Sequence, residues 1–279
     1  MTPKKKKLRP PFKIHGGKYY LASWIIDHFP PDYQELGYLE PFVGAGSVFL
    51  NKEPSATEAI NDLDEGAIQI WRALRNEPQP FIQRLRRTKY TETTFNRAWN
   101  RSESEYKDYI DHAANEFILR RMSRGGLRQA FAWSDRERGG KPGDVNAWET
   151  IIKELPLIAK RLPKINIFQK DAIEVIKAFD DADFLCYADP PYMSDTRVSP
   201  NAYEIEMDTE SHIKLAQAMN AYRGKAIISG YWHPLYRRLF DGWRCEKKEV
   251  ANHSGQTTKK NRRTECIWLN FDKKTGKLL

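Results

Sequence analysis

The stretch "DFLCYADPPY", residues 183–192, ends an apolar run with a carboxylate, two prolines and an aromatic ring. An apolar run of this length is typical of a buried β-strand. Because proline has no N–H to donate to a neighbouring strand, the sheet must end at Pro190. The sequence therefore predicts that Asp189 and Tyr192 lie on a stiff corner at the carboxyl end of a strand.

The segments around this strand predict a doubly wound α/β fold. Upstream, two predicted strands, "GYLE" and "ATEAIND", are separated by a glycine turn and a helix from about Ser47, and the predicted helix "DEGAIQIWRALRN" follows them. Downstream, strand and helix patterns alternate again through "INIF", "AIEVIKAF", "DFLCYA", "SHIKLAQAMNAYRG" and "KAIISG". This alternation is typical of a parallel sheet covered by helices. The C-terminal segments "WRCEKKEV" and "TECIWLNF" predict two antiparallel strands.

Residues 81–163 interrupt the alternation and predict an inserted, mainly helical domain. The segments "EYKDYIDHAANEFILRRM" and "ETIIKELPLIAKRL" have helical periodicity, and the stretch between them is rich in glycine, arginine and aromatic residues. That stretch predicts loops or a β-hairpin. We therefore expect residues 1–80 and 164–279 to form one α/β domain around the insert.

Composition narrows the class of protein. The 279 residues include 46 Lys and Arg against 37 acidic residues, and a net charge of +9 favours a polyanionic partner. The three cysteines and six histidines have no metal-ligand spacing, so we expect no metal. No apolar run is long enough to span a membrane and no signal peptide is recognisable, so we expect a cytoplasmic protein without a membrane partner.

The segment "LEPFVGAGS" combines a strand end with a glycine turn. Gly44 and Gly46 let the backbone approach a ligand closely, and Asp62 ends the next predicted strand. An acid at that position can accept both hydroxyls of a ribose. Together they indicate an adenosine-containing cofactor, although a tight turn without a ligand would also explain the two glycines.

The corner at residues 189–192 has the chemistry to hold an amine. The Asp189 carboxylate and the Pro190 carbonyl both accept hydrogen bonds, which suits an exocyclic amino group with two N–H donors. Engaging both hydrogens would redirect the nitrogen lone pair away from the aromatic ring. The Tyr192 ring offers a face for a planar base, and such stacking contributes about 1–3 kcal/mol.

Four segments in one order resemble the Dam-type, α-group adenine-N6 DNA methyltransferases of bacteria and phages: "KIHGGK" at 13–18, "EPFVGAGS" at 40–47, "NDLD" at 61–64 and "YADPPY" at 187–192. The C-terminal "TECIWLNF" extends the similarity over nearly the whole chain. The resemblance implies a Rossmann-like sheet of the S-adenosylmethionine-dependent methyltransferase type. It also implies a catalytic domain in two parts, residues 1–80 and 164–279, and an inserted target-recognition domain, residues 81–163.

The resemblance also assigns site residues. The implied cofactor-binding residues are Gly17, Lys18, Phe42, Gly44, Ala45, Gly46, Asp62, Asp171 and Asp189. The implied catalytic residues are Asp189, Pro190, Pro191 and Tyr192. One departure is Ile14, where the family usually has tryptophan, so a stacking contact with the cofactor is lost.

The insert is the expected DNA-recognition element. Residues 120–141 contain seven basic residues against two acidic ones, with aromatic residues between them. Arginine can pair with guanine in the major groove, and most other basic contacts go to phosphates. The residues expected to contact DNA are Arg120, Arg124, Arg128, Trp133, Arg136, Arg138 and Lys141.

We therefore expect a site-specific DNA adenine-N6 methyltransferase that uses S-adenosylmethionine and acts on a base flipped out of duplex DNA. Two alternatives remain: an RNA adenine-N6 methyltransferase, and a DNA-binding regulator that has lost catalysis. We expect a monomer or weak dimer in the cytosol of a bacterium or a phage-infected host. The target sequence and any restriction partner are not specified by these patterns.

Overall fold

The computed structural model describes residues 7–134, 136–193, 206–251 and 262–279. The α-helices in these ranges are α1 Ala22–Ile26, α2 Glu65–Asn76, α3 Pro78–Arg87, α4 Glu92–Trp99, α5 Tyr109–Met122, α6 Gly143–Ala159, α7 Ala172–Ala178, α8 Thr209–Asn220 and α9 Pro234–Leu239. The β-strands are β1 Gly37–Glu40, β2 Thr57–Asn61, β3 Glu137–Arg138, β4 Lys141–Pro142, β5 Ile165–Phe168, β6 Phe184–Ala188, β7 Lys225–Tyr231, β8 Arg244–Ala251 and β9 Arg262–Leu269.

Within the described residues, the main sheet has seven strands in the order β5-β2-β1-β6-β7-β9-β8. Strand β1 pairs in parallel with β2 and β6, and β6 pairs in parallel with β7. Strand β9 runs antiparallel to both β7 and β8. This confirms the predicted α/β class and the predicted C-terminal antiparallel pair. The carboxyl ends of β2, β1, β6 and β7 consequently lie at one edge of the sheet.

Strand β6 shows why this sheet forms. Leu185, Cys186, Tyr187 and Ala188 are all buried. A strand with parallel neighbours on both sides is covered on both faces, so it is apolar along its whole length rather than alternating. The strand ends at Ala188, before the residue that precedes Pro190, as the missing proline N–H requires.

Two compact units divide the chain. Unit 1 comprises Met1–Ser23, Val43–Lys52 and Asp64–Gln169, and unit 2 comprises Trp24–Phe42, Glu53–Leu63 and Lys170–Leu279. Unit 1 contains the glycine turn and helices α2 to α6, whereas unit 2 contains most of the sheet. Among the described residues, no helix combines the length and apolar character needed to cross a bilayer.

Local structure differs from prediction at the expected helix from Ser47. Residues 47–51 form successive turns, in which Leu50 N bonds Gly46 O and Asn51 N bonds Val48 O. The Asn51 side chain also donates to the Ser47 carbonyl, at 2.8 Å, and therefore competes with a regular helical ladder. Of the two structures predicted for the glycine- and arginine-rich stretch, loops or a β-hairpin, residues 137–142 form the hairpin, as the short antiparallel pair β3–β4.

Candidate active site

In unit 1, the Trp71 side chain packs against the glycine turn and forms a hydrogen bond with it. The Trp71 indole Nε1 donates to the Gly44 carbonyl at 2.8 Å, and Gly46 N donates to Val43 O at 2.7 Å. Gly44 has φ 46° and Gly46 has φ 68°, conformations that glycine adopts without steric cost. A Cβ on Gly46 would lie 2.7 Å from Trp71 Cζ2, so the packing of this ring also requires glycine.

Trp71 is itself locked in the core of unit 1. Its side chain is fully buried on α2, and the rings of Phe12 and Phe49 meet it edge-on at centroid distances of 5.9 and 6.2 Å. Such contacts add about 0.5–1.5 kcal/mol each beyond buried area. The backbone of the glycine turn therefore rests on a rigid aromatic cluster.

The segment "KIHGGK" also belongs to unit 1. Lys18 is buried, and its Nζ donates to the Gly16 carbonyl at 2.9 Å. A Cβ on Gly44 would approach Ile14 Cδ1 to 3.4 Å, so the Ile14 side chain lies against the glycine turn. A Cβ on Gly17 would likewise meet the Ile14 carbonyl at 3.4 Å. Within unit 1, the structure therefore brings Ile14 close to the predicted cofactor turn, and Gly17 lies in the same segment as Ile14.

In unit 2, a buried amide connects the segments that carry Phe42, Asp62 and Asp171. Asn61 Nδ2 donates to the carbonyls of Pro41 and Lys170, each at 3.0 Å, and Asn61 Oδ1 accepts from Lys170 N at 3.0 Å. Phe42 and Asp62 are half-buried beside these anchors. Asn61 was not among the predicted site residues, although its place at a strand end in "AIND" was visible.

Asp171 has a local structural partner as well as its predicted ligand role. Its Oδ1 accepts from Ile173 N at 2.9 Å and from Glu174 N at 3.3 Å, which caps the amino end of α7. The carboxylate is exposed. Its capping bonds fix its orientation at the helix start.

The predicted catalytic corner follows β6 in unit 2. Asp189 and Pro191 are half-buried and Pro190 is buried. The Tyr192 hydroxyl donates to Glu265 Oε2 at 2.8 Å, and its ring meets Tyr231 in a T-shaped contact at 4.6 Å. Tyr192 is only 3% exposed, so its ring does not present the open face that the predicted stacking of a base requires.

Two tyrosines close to the corner stay protonated. Burial, and then the negative charge of Asp189, raise the pKa of Tyr187 well above its ordinary value. The same two causes raise the pKa of Tyr236. The Tyr187 hydroxyl also forms a 2.8 Å hydrogen bond with Ser229 Oγ on the adjacent strand β7. The surroundings of Asp189 therefore add no further negative charge from these phenols at neutral pH.

Several predicted DNA contacts are accessible in unit 1. Arg124 and Arg136 are exposed, and Trp133 is 48% exposed beside Phe131, with ring centroids 6.2 Å apart. Lys141 is also exposed, although its Nζ bonds Glu149 Oε1 at 2.7 Å. The side chain of Arg138 lies outside the described part of the structure.

Arg120 and Arg128 form ion pairs inside unit 1. Arg120 is 2% exposed, and its Nη2 bonds both carboxylate oxygens of Asp64 at 2.7 and 2.8 Å. Arg128 Nη1 bonds Glu116 Oε2 at 2.8 Å. Their guanidinium groups neutralise carboxylates that burial would otherwise penalise. We therefore do not retain the buried Arg120 as a DNA contact, whereas the half-buried Arg128 stays a predicted contact.

Sequence reasoning also missed Trp71 and Glu265. Trp71 lies in the predicted helix "DEGAIQIWRALRN", and nothing in that segment indicates that its indole N–H donates to Gly44. Glu265 carried a stronger signal, because it is an acid within the apolar run of "TECIWLNF". Among the described residues, no cluster of His, Cys, Asp and Glu could hold a metal ion.

The family model and the sequence relatives agree on one family. Residues 15–254 match the model for D12 class N6 adenine-specific DNA methyltransferases. A DNA adenine methylase of Vibrio cholerae is 26% identical over 247 residues, covering 85% of this chain and 86% of that protein. A DNA adenine methylase of Escherichia coli is 27% identical over 277 residues, covering 91% and 93%. A putative RNA methyltransferase structure from Pyrococcus horikoshii covers 92% of this chain and 84% of its own, with 9% identity and a TM-score of 0.39.

The packing of Trp71 under the turn predicts a steric cost at Gly46. We expect Gly46→Ala to lower the free energy of unfolding by about 2–4 kcal/mol, because it adds backbone strain and overlap with a buried ring. Urea unfolding measures the loss.

Gly139→Ala is the matched control. Gly139 also has positive φ, 62°, but a Cβ there would meet nothing within 4 Å. We expect a loss of only about 1 kcal/mol from this control. Equal losses in the two variants would contradict the role of Trp71.

Proposed function

The chain belongs to the D12 class of N6 adenine-specific DNA methyltransferases, and on that premise we propose that Asp189 and Pro190 bind the amine of a flipped-out adenine for methylation. The observation that supports this proposal is the corner at residues 189–192, where β6 ends among parallel strands. Asp189 is half-buried there and Pro190 is buried. Both residues carry oxygen acceptors on a backbone that the two prolines restrict.

The proposed chemistry depends on orientation rather than on a covalent enzyme intermediate. The Asp189 carboxylate and the Pro190 carbonyl accept the two N–H groups of the adenine amine. These two hydrogen bonds withdraw the nitrogen lone pair from the adenine ring and direct it towards the methyl group that is to be transferred. The contribution of the protein is positioning and electrostatic stabilisation of the positive charge that develops on the nitrogen.

S-adenosylmethionine supplies the electrophilic methyl group when it is bound. In unit 1, Gly44 and Gly46 add no side chain of their own to the positive-φ turn, and Gly17 and Lys18 belong to the segment whose Ile14 side chain lies against that turn. In unit 2, the half-buried Asp62 can accept ribose hydroxyls, and the exposed Asp171 can accept from an adenine amine.

We further propose that residues 81–163 recognise the DNA target and that residues 1–80 and 164–279 form the catalytic part. The exposed side chains that support this role are Arg124, Trp133, Arg136 and Lys141. Arginine and lysine would bind phosphates, and extraction of the adenine from the duplex costs a few kcal/mol. A monomer or weak dimer and a cytosolic location stay predictions.

The direct test is methyl transfer from radiolabelled S-adenosylmethionine to duplex DNA and to RNA of matched sequence. We expect label in N6-methyladenine of the DNA only. Label in the RNA alone would support the alternative RNA substrate. Absence of label in both polymers, with DNA binding retained, would support a non-catalytic regulator.

Asp189→Ala removes one of the two proposed amine acceptors. We expect the rate of methyl transfer to fall about a hundredfold or more, because one preorganised polar contact in an active site typically contributes this much. DNA affinity should change little, since phosphate contacts dominate it. Single-turnover methylation and a DNA-binding titration measure the two effects.

Asp183→Ala is the control for this variant. Asp183 is exposed and lies immediately before β6, at the opposite end of the same strand. It should retain the wild-type rate. If Asp189→Ala transferred methyl groups as fast as Asp183→Ala, the proposed role of Asp189 would be wrong.

Asp62→Ala should weaken cofactor binding first. Loss of a charged acceptor for ribose hydroxyls lowers affinity for S-adenosylmethionine by about tenfold to a hundredfold. Calorimetric titration measures this change, with the exposed Asp241→Ala as control. A variant that loses DNA affinity while it keeps its cofactor affinity would count against the assignment.

Arg124→Ala should reduce the electrostatic part of DNA binding. If Arg124 neutralises one phosphate, the slope of log affinity against log salt should become shallower by about 0.9. Titrations at several salt concentrations measure the slope. The control is Arg223→Ala, which changes an exposed arginine before β7, outside residues 81–163, and should leave the slope unchanged.

A further inference from the structure

The Tyr192 side chain connects the proposed catalytic corner to a strand that carries none of the predicted site residues. Its hydroxyl donates to Glu265 Oε2 at 2.8 Å, and the two residues are 73 positions apart in the chain. Glu265 belongs to β9 and is 8% exposed. The hydrogen bond therefore joins the corner after β6 to the antiparallel part of the sheet in unit 2.

Burial makes this hydrogen bond strong. A carboxylate removed from water is costly unless donors satisfy its oxygens. A phenol that donates to a carboxylate forms a charge-assisted hydrogen bond, roughly twice as strong as a bond between neutral groups. Separation of Tyr192 from Glu265 would leave a buried acceptor with one donor fewer, so the pair resists displacement.

A second contact fixes the ring of Tyr192. Tyr231 is the residue opposite Glu265 in the β7–β9 register, and its ring lies 4.6 Å from the Tyr192 ring at an interplanar angle of 78°. Arg263 supports Tyr231 in turn, with Nη1 3.0 Å from the Tyr231 hydroxyl and the guanidinium 5.1 Å from the ring centroid. The hydroxyl and the ring of Tyr192 are thus held by adjacent strands.

The prolines transmit this restraint to Asp189. Between Asp189 and Tyr192 lie only Pro190 and Pro191, whose φ angles are locked near −65°. Few soft torsions therefore separate the held phenol from the carboxylate. Fixing Tyr192 in unit 2 restricts the direction in which Asp189 and the Pro190 carbonyl present their oxygens.

We propose that Glu265 is a positioning residue for methyl transfer, which acts through the Tyr192 hydroxyl to set the orientation of the 189–192 corner. The inference rests on the proposed function of that corner. Glu265 does not bind the adenine or the cofactor, and its role is to accept one hydrogen bond. A glutamine, whose amide oxygen also accepts from a phenol, should largely replace it.

The test compares Glu265→Ala, Glu265→Gln and Tyr192→Phe with the wild-type enzyme, using S-adenosylmethionine and duplex DNA. We expect kcat to fall about tenfold to a hundredfold in Glu265→Ala and in Tyr192→Phe, because small misplacements at a reacting centre have effects of this size. Glu265→Gln should stay within about threefold of wild type, with an unchanged pH profile. Cofactor affinity should be unaffected in all three variants.

The double variant Tyr192→Phe/Glu265→Ala tests whether the two residues act as a unit. We expect its kcat to match that of the slower single variant. Urea unfolding of the wild type, Tyr192→Phe, Glu265→Ala and the double variant should likewise show that the two losses of unfolding free energy are not additive. If Glu265→Ala does not fold, Glu265→Gln and Tyr192→Phe still test the proposal, because glutamine keeps the size of the glutamate and phenylalanine keeps the aromatic ring. Additive losses would overturn the proposal.

Two further results would also overturn it. Wild-type kcat in Tyr192→Phe would show that the hydroxyl is not needed. A Glu265→Gln variant as slow as Glu265→Ala, with a shifted pH profile, would indicate proton transfer by Glu265 instead. Failure of the proposed function is distinguishable, because the wild-type enzyme would then leave duplex DNA unmethylated while the unfolding coupling between Tyr192 and Glu265 persisted.

Discussion

Parallel pairing of β2, β1, β6 and β7 is the constraint on which the rest of unit 2 depends. Parallel strands point their carboxyl ends to one edge of a sheet, and the residues after these ends carry the polar chemistry. Asp62 follows β2, and Asp189 follows β6. In an antiparallel sheet, the carboxyl ends of neighbouring strands would lie at opposite edges. The connectivity of the sheet thus collects residues that are more than a hundred positions apart in the chain.

The residues at the proposed site also need fixed orientations, and hydrogen bonds from buried polar side chains provide them. In unit 1 the Trp71 indole N–H engages the carbonyl of the glycine turn. In unit 2 the Asn61 amide connects the segments after β1 and β5, and the Glu265 carboxylate engages the residue after the two prolines. Trp71, Asn61 and Glu265 are all buried, and each makes directional hydrogen bonds from its buried position. Such contacts fix backbone geometry more narrowly than apolar packing does.

The outcome for the basic residues shows where sequence reasoning stops. The arginines of residues 120–141 look alike in the sequence, yet Arg124 is exposed whereas Arg120 is buried against Asp64. Asp64 is 56 positions away from Arg120, so no local pattern connects them. The turns after Ser47 are a smaller case, in which the Asn51 amide competes for a backbone carbonyl. Both differences arise from partners that only folding brings together.

Local chemistry was therefore decided by the sequence alone: the strand that must end before Pro190, the glycine turn, the alternation of strands and helices, and the family to which these motifs belong. The tertiary structure decided the partners. It buried Arg120, put Trp71 under Gly46, and joined Tyr192 to Glu265. The physical reason is the separation along the chain over which each kind of interaction acts. Backbone restriction and periodicity act over a few residues, whereas a hydrogen bond or ion pair depends on which distant groups the packed chain brings within about 3 Å.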